Sequence, residues 1–235
     1  MSQDLSILLA SAAALGAVHT VLGPDHYVPF VVLAKARQWS VRKTVWITAV
    51  CGLGHIAGSV ALGMLGIALG IGVRQLEVIE SQRGTVAAWL LVGFGVAYAA
   101  WGTMRALRNK PHSHVHLHAD GVAHSHTHSH TANHLHPHGA DGQSLTPWIL
   151  FTIFVFGPCE PLIPLLMYPA AALSPGAVAL VAGVFGIVTI ATMVGVVLVS
   201  TMGLSLVAAQ RLGRWSHSLA GTTILLCGIA IFLGL

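Results

Sequence analysis

Ala17-Val18-His19-Thr20-Val21-Leu22-Gly23-Pro24-Asp25-His26 is the stretch on which the reading of this chain turns. It lies in a long apolar run, yet it carries a Gly-Pro step and three ionisable side chains. Proline removes a backbone donor and clashes with the preceding turn, so a helix breaks there. A charge at the centre of a membrane costs about 2.5–3.5 kcal/mol even on the most lenient insertion scale, so ionisable groups at that depth mark function. A near-copy, Gly157-Pro158-Cys159-Glu160, recurs 134 residues on, from 23 to 157, again inside an apolar run. Two helix breaks at corresponding places in two halves are the sequence pointer to a midplane site in a transporter.

The surroundings fit that setting. Of 235 residues, 55% are hydrophobic and 8% are charged, and mean hydropathy is +0.78, whereas soluble domains carry about 25% charged residues. Six segments reach the roughly 20 residues that span a bilayer core: 5–33, 45–73, 85–104, 148–173, 177–206 and 217–235. Lys35, Arg37, Arg42 and Lys43 fill the first connection, Arg105, Arg108 and Lys110 the third, and Arg211 and Arg214 the fifth. The second connection has Arg74 and Arg83 alone. By the positive-inside rule the odd-numbered connections face the cytoplasm and both termini face out. The net charge of +4 is spread over short loops, so it bears on topology and not on nucleic acid. Met1-Ser2-Gln3-Asp4 lacks the basic start of a signal peptide, and none is expected.

The 134-residue shift also sets Gly52 against Gly186, His55 against Thr189 and Ala57 against Ala191. Each half then holds three helices, and an odd number inserts the second half upside down. The expected fold is an all-α membrane protein of six transmembrane helices, an inverted 3+3 repeat with broken first and fourth helices. Its parts are a first three-helix repeat (1–108), a His-rich disordered cytoplasmic loop (109–146) and a second three-helix repeat (147–235). Gly54 and Gly58, like Gly66 and Gly70, are spaced for close helix approach, and the first two also flank His55.

The candidate ligands come from both breaks and one neighbouring helix. His19 and His26 are seven apart and share a helix face. Asp25 adds a hard oxygen, His55 stands alone in an apolar run, and Cys159 and Glu160 offer a thiolate and a carboxylate. Together they suit a divalent first-row metal. A proton relay through Asp25 and Glu160, and simple interhelical hydrogen bonding by His55, are the plainer alternatives. Pro29, Pro161 and Pro164 keep the backbone beyond each break from resuming an ordinary helix. Cys51 and Cys227 read as small buried hydrophobes, and no CxxC pair implies a disulfide framework.

Eleven of the fifteen histidines lie between 112 and 138: His112, His114, His116, His118, His124, His126, His128, His130, His134, His136 and His138. Such tracts bind divalent metals through neutral imidazoles. The irregular spacing and missing apolar pattern predict a loop without fixed structure, positioned to collect metal for export or receive it after import.

The segment His19 to His26 resembles the nickel/cobalt transporter superfamily: nickel permeases, nickel/cobalt efflux proteins and the UreH-type membrane proteins of urease clusters. Those carry His-x4-Asp-His in an early helix. Here five residues separate His19 from Asp25, closer to the His-Pro-x-x-Gly-x-Asp-His pattern of the HupE/UreJ accessory proteins, with Thr20 in place of that proline. The efflux branch also has a mid-chain His-rich loop. Gly157-Pro158-Cys159-Glu160-Pro161 resembles the Pro-Cys motif of CcdA-type electron carriers. The resemblance implies a multi-pass protein of a bacterial-type inner membrane, not an enzyme, with no permanently bound cofactor. Its substrate would be a divalent transition metal, nickel or cobalt first and zinc next, and its partners the lipid bilayer and a cytoplasmic metallochaperone. Two alternatives stand beside it. One is a thiol–disulfide electron carrier, disfavoured because the position matching Cys159 is Asp25; the other is an accessory protein handing metal to a urease or hydrogenase.

Overall fold

The computed structural model describes residues 3–108, 112–117, 123–128, 145–172, 174–207 and 213–233. Eight α-helices appear among them: α1 (Gln3–Leu22), α2 (Val28–Ala36), α3 (Val41–Leu69), α4 (Val73–Arg108), α5 (Thr146–Phe156), α6 (Leu162–Ala172), α7 (Pro175–Val207) and α8 (Ser216–Phe232). Five helical stretches are long and apolar enough to cross a membrane: Gln3–Leu22, Val41–Leu69, Val73–Arg108, Pro175–Gly203 and Gly213–Phe232. The outer surface is apolar as well, with Trp46, Ile187 and Val199 70%, 71% and 72% exposed. Side chains of that kind belong against lipid.

The ends of α3 follow its sequence. Ser40 caps the start, its side chain accepting from Lys43 N, which satisfies one of the donors a helix leaves open at its first turn. Gly70 ends it at φ +66, the left-handed conformation that glycine adopts freely, and Ile71 N closes back onto Gly66 O at 2.9 Å.

Both Gly-Pro steps break their helices. In the first, Gly23 N still reaches His19 O at 3.0 Å, but Pro24 has no N–H to continue the ladder. Pro24–His26 forms a 3-10 turn, and α2 restarts at Val28. In the second, α5 stops at Phe156, Gly157 turns extended at φ −58, ψ 137, and α6 resumes at Leu162. The segment expected at 148–173 is therefore two helices of 11 residues each, about 16 Å apiece at 1.5 Å per residue, each half a bilayer core.

One boundary needs correcting. The third span was expected at 85–104, with Arg74 and Arg83 in a loop, but α4 runs over 36 residues from Val73. Arg74, Glu77, Glu80 and Arg83 fall every third residue, a spacing that a helix accommodates, and two of them are taken up inside the bundle.

Contacts between the halves come in matched pairs. α1 packs on α7 as α5 packs on α3, and α2 on α7 as α6 on α3. Likewise α2 meets α8 as α6 meets α4, while α3 crosses α7 and α4 crosses α8.

The buried side chains form two clusters. One holds Phe30, Ile47, Cys51, Leu91, Phe154 and Met193. The other holds Ala12, Ile56, Cys159, Leu162 and Phe185. α1–α2, α3, α5–α6 and α7 each pass from one cluster to the other, and His19, His55 and both breaks lie at that seam.

In the 109–146 segment, the backbone of 112–117 pairs antiparallel with 123–128, His112 opposite His128, His114 opposite His126 and His116 opposite His124. His118, His130, His134, His136 and His138 lie outside the described residues, and so does most of the segment expected to lack structure.

Candidate metal centre

His55 sits at residue 15 of the 29 in α3, midway along the helix. Its ring meets two others carried by the first break. Ring centroids are 4.6 Å apart for His19–His26, 5.0 Å for His26–His55 and 6.5 Å for His19–His55. One nitrogen from each ring lies within 4.8 Å of the others. His26 and His55 are 3% and 2% exposed, and His19 is partly buried.

Four ring nitrogens have no hydrogen-bond partner despite burial: His19 Nε2, His26 Nε2 and both nitrogens of His55. A buried polar atom without a partner forfeits its hydration and gains nothing for it, so three such rings, each offering one nitrogen to the same place, call for a ligand. Two nitrogens on a single tetrahedral zinc, bonded at 2.0–2.1 Å, stand about 3.4 Å apart. A cavity beside two of the rings, lined by Asp25, His26, His55, Phe154 and Gly157, measures about 10 Å³, room for one water-sized sphere.

Asp25, expected as a direct ligand, lines the cavity and also reaches the His26 ring. Its Oδ1 lies 3.1 Å from His26 Nδ1, and Gly23 O lies 3.2 Å from the same nitrogen. Both neighbours only accept, so Nδ1 carries the proton and Nε2 presents its lone pair to the site. A carboxylate that fixes the tautomer and tilt of a ligating imidazole also raises its basicity. The break makes this possible, because the 3-10 turn swings Asp25 and His26 together while His26 N bonds Gly23 O at 3.1 Å.

From the second break, Gly157 reaches the cavity, but its neighbours diverge. A Cβ on Gly157 would stand 2.9 Å from His55 Nδ1, so only glycine lets the break lie against that ring. Cys159 is buried with Leu162 and Phe185, and Glu160 is exposed. Neither belongs to the three-histidine group. Gly54 and Gly58 make room for other neighbours than His55: a Cβ would strike Phe151 and Val155 at the first, and Arg83 and Val155 O at the second.

Sequence reasoning missed a second polar group beside the site. Glu80 on α4 is fully buried and pairs with Arg83 one turn on. Its Oε1 accepts from Ser59 Oγ at 2.6 Å and from Cys159 N at 2.8 Å. Arg83 Nη2 donates to Val155 O at 2.7 Å and Gly157 O at 3.5 Å, and Nη1 to Ser59 Oγ at 3.2 Å. The pair thus satisfies backbone groups that the break leaves open. The Glu80–Arg83 spacing on an otherwise periodic segment was the available signal.

Comparison with protein-family models, with curated proteins and with solved structures found no match.

Proposed function

We propose that this chain is a membrane transporter for a divalent transition-metal ion, nickel or cobalt first and zinc next, bound at mid-depth by His19, His26 and His55. The observation that carries the reading is the convergence, beside a helix break, of one nitrogen from each of three rings that hold unpartnered, buried nitrogens. Three imidazoles, with a water-sized space beside His26 and His55, would leave a coordination position open, as a passing ion needs. Imidazole suits nickel, cobalt and zinc over calcium or magnesium. Asp25 supplies a nearby negative charge without occupying the position.

The matched helix contacts support an inverted 3+3 architecture of six passes, with α1–α2 and α5–α6 as the broken first and fourth. In that arrangement one half rocks against the other around a fixed site. Removing Arg83 from the second connection sharpens the charge asymmetry that supports a cytoplasmic side for the first, third and fifth connections and the His-rich segment.

The deciding experiment is metal flux into proteoliposomes across nickel, cobalt, zinc, copper and manganese, with and without a pH gradient. Saturable flux of one or more of these supports the transporter. Tight binding without flux identifies instead a metal-handing accessory protein.

Two further outcomes are expected. Gly157→Val should weaken cobalt binding at least tenfold by pushing His55 aside, whereas Gly183→Ala, where a Cβ meets nothing within 4 Å, should leave it unchanged. Isothermal titration of the detergent-purified variants reads this directly. Deleting 112–138 should leave flux at saturating metal intact but lower it at scarce metal, because eleven imidazoles raise the local metal concentration. The gap between intact and deleted protein should close below a pH of about 6.5, where loop imidazoles protonate and stop ligating.

A further inference from the structure

The ion pair on α4 touches no histidine of the site, yet its partners outside α4 come from α3 and the second break, the two elements that carry or flank His55. Ser59, which donates to Glu80, is one turn along α3 from His55. Val155, Gly157 and Cys159, held by Arg83 and Glu80, are the backbone whose Gly157 lies against the His55 ring. Gly84, the residue after Arg83, lets α4 approach until a Cβ there would meet the Pro158 ring at 2.9 Å. Gly58 likewise clears the space that the guanidinium occupies.

A plain packing role does not call for these residue types. Taking two charges out of water is expensive, and a well-packed apolar pair of similar volume serves stability as well or better. An arginine fork does something an apolar pair does not: it fixes the directions of several acceptors at once. Here those acceptors are the two carbonyls at the end of α5 and the carboxylate that anchors Cys159 N. The segment between them leaves the α-helical ladder and is closed at its ends by Gly157 N on Phe154 O and Leu162 N on Cys159 O, each at 3.0 Å.

We propose that Glu80, Arg83 and Ser59 form a positioning brace that holds the second break against His55 and thereby sets the ligand geometry of the metal centre. Glu80 and Arg83 are positioning residues, acting through Gly157 and not on the ion. The proposal rests on the three-histidine centre as the metal site and names what gives that centre its shape. Asp25 orients His26 from the first break, and the brace orients His55 through the second.

The test uses full-length protein purified in detergent and cobalt(II) as the probe, whose visible ligand-field spectrum reports coordination number and geometry. The variant is the double exchange Glu80→Gln with Arg83→Gln, which removes both charges together and leaves neither unpaired. Arg83→Lys keeps the charge but loses the fork. Tyr98→Phe is the control: it cuts another hydrogen-bonded contact of α4, to Arg37 and His217, far from the break. The brace predicts that the double variant stays folded, binds cobalt ten- to a hundredfold more weakly, in the range typical of lost outer partners, and shows a spectrum of changed shape. Arg83→Lys should fall between it and the wild type, and Tyr98→Phe should match the wild type. Wild-type affinity and spectrum in the double variant would overturn the brace while leaving the metal centre standing. Equal weakening by Tyr98→Phe would overturn it too, as general loosening of α4. A wild-type protein that binds no cobalt would sink the metal centre, and the brace with it.

Discussion

His26→Ala and His55→Ala should each reduce metal flux to background, a loss of a hundredfold or more, at unchanged protein level in the membrane. Each removes one of three nitrogens that converge within 4.8 Å, and two imidazoles with a single open side make a poor site for a first-row ion. Asp25→Asn should lose less, ten- to a hundredfold in affinity. The amide can still accept from His26 Nδ1, but without the carboxylate's charge. This ordering separates a ligand from the group that orients it: if Asp25 were itself a ligand, Asn would be as damaging as the histidine exchanges. Cys51→Ser and Cys227→Ser should keep flux near wild type, since both thiols lie in packed apolar surroundings away from the three rings. Cys159→Ser should keep flux as well, whereas a thiol–disulfide carrier would lose all activity on that exchange. Flux measured beside cobalt titration of the same variants checks each step.

The histidines could be read from sequence because an ionisable group in an apolar run is conspicuous by its cost. In 52–57 nothing else competes for that explanation, and in 17–26 only Asp25 does. The helix breaks were legible for an equally local reason: a proline has no N–H wherever it falls. The role of Cys159 and Glu160 was not legible, because it depends on which way a short non-helical segment turns. Once Cys159 N is anchored on Glu80, the Cys159 side chain enters the packed cluster and its neighbour Glu160 faces outward. Symmetry between the halves fixes where a break falls but not the direction of each side chain around it. Glu80 and Arg83 were hidden by composition. Four charged residues in ten, 74–83, resemble a connection between spans, and only a tertiary contact explains why two of them enter the bundle.

The largest effects on stability are expected at that pair. Glu80→Ala alone leaves the Arg83 guanidinium among apolar walls with only carbonyls and a hydroxyl for company. Arg83→Ala alone leaves a carboxylate buried with Ser59 and one backbone amide. Breaking one side of a buried ion pair costs about 3–5 kcal/mol, a large share of the 5–15 kcal/mol that holds a typical domain folded. Both single variants should therefore show a sharply lowered unfolding midpoint in detergent, or fail to accumulate. The double exchange to glutamine should recover much of that loss, because no charge is left unpaired and the amide at 80 can still accept from Cys159 N, although the fork onto the Val155 and Gly157 carbonyls is gone. The coupling, taken from Glu80→Gln, Arg83→Gln and their double exchange as the departure of the double from the sum of those singles, should reach the upper part of the 0.5–3 kcal/mol range found for residues in contact. Additive losses would mean that the two charges do not depend on each other. In that case Arg83 would answer to the α5 carbonyls alone, and the second break would be held by one residue instead of a pair.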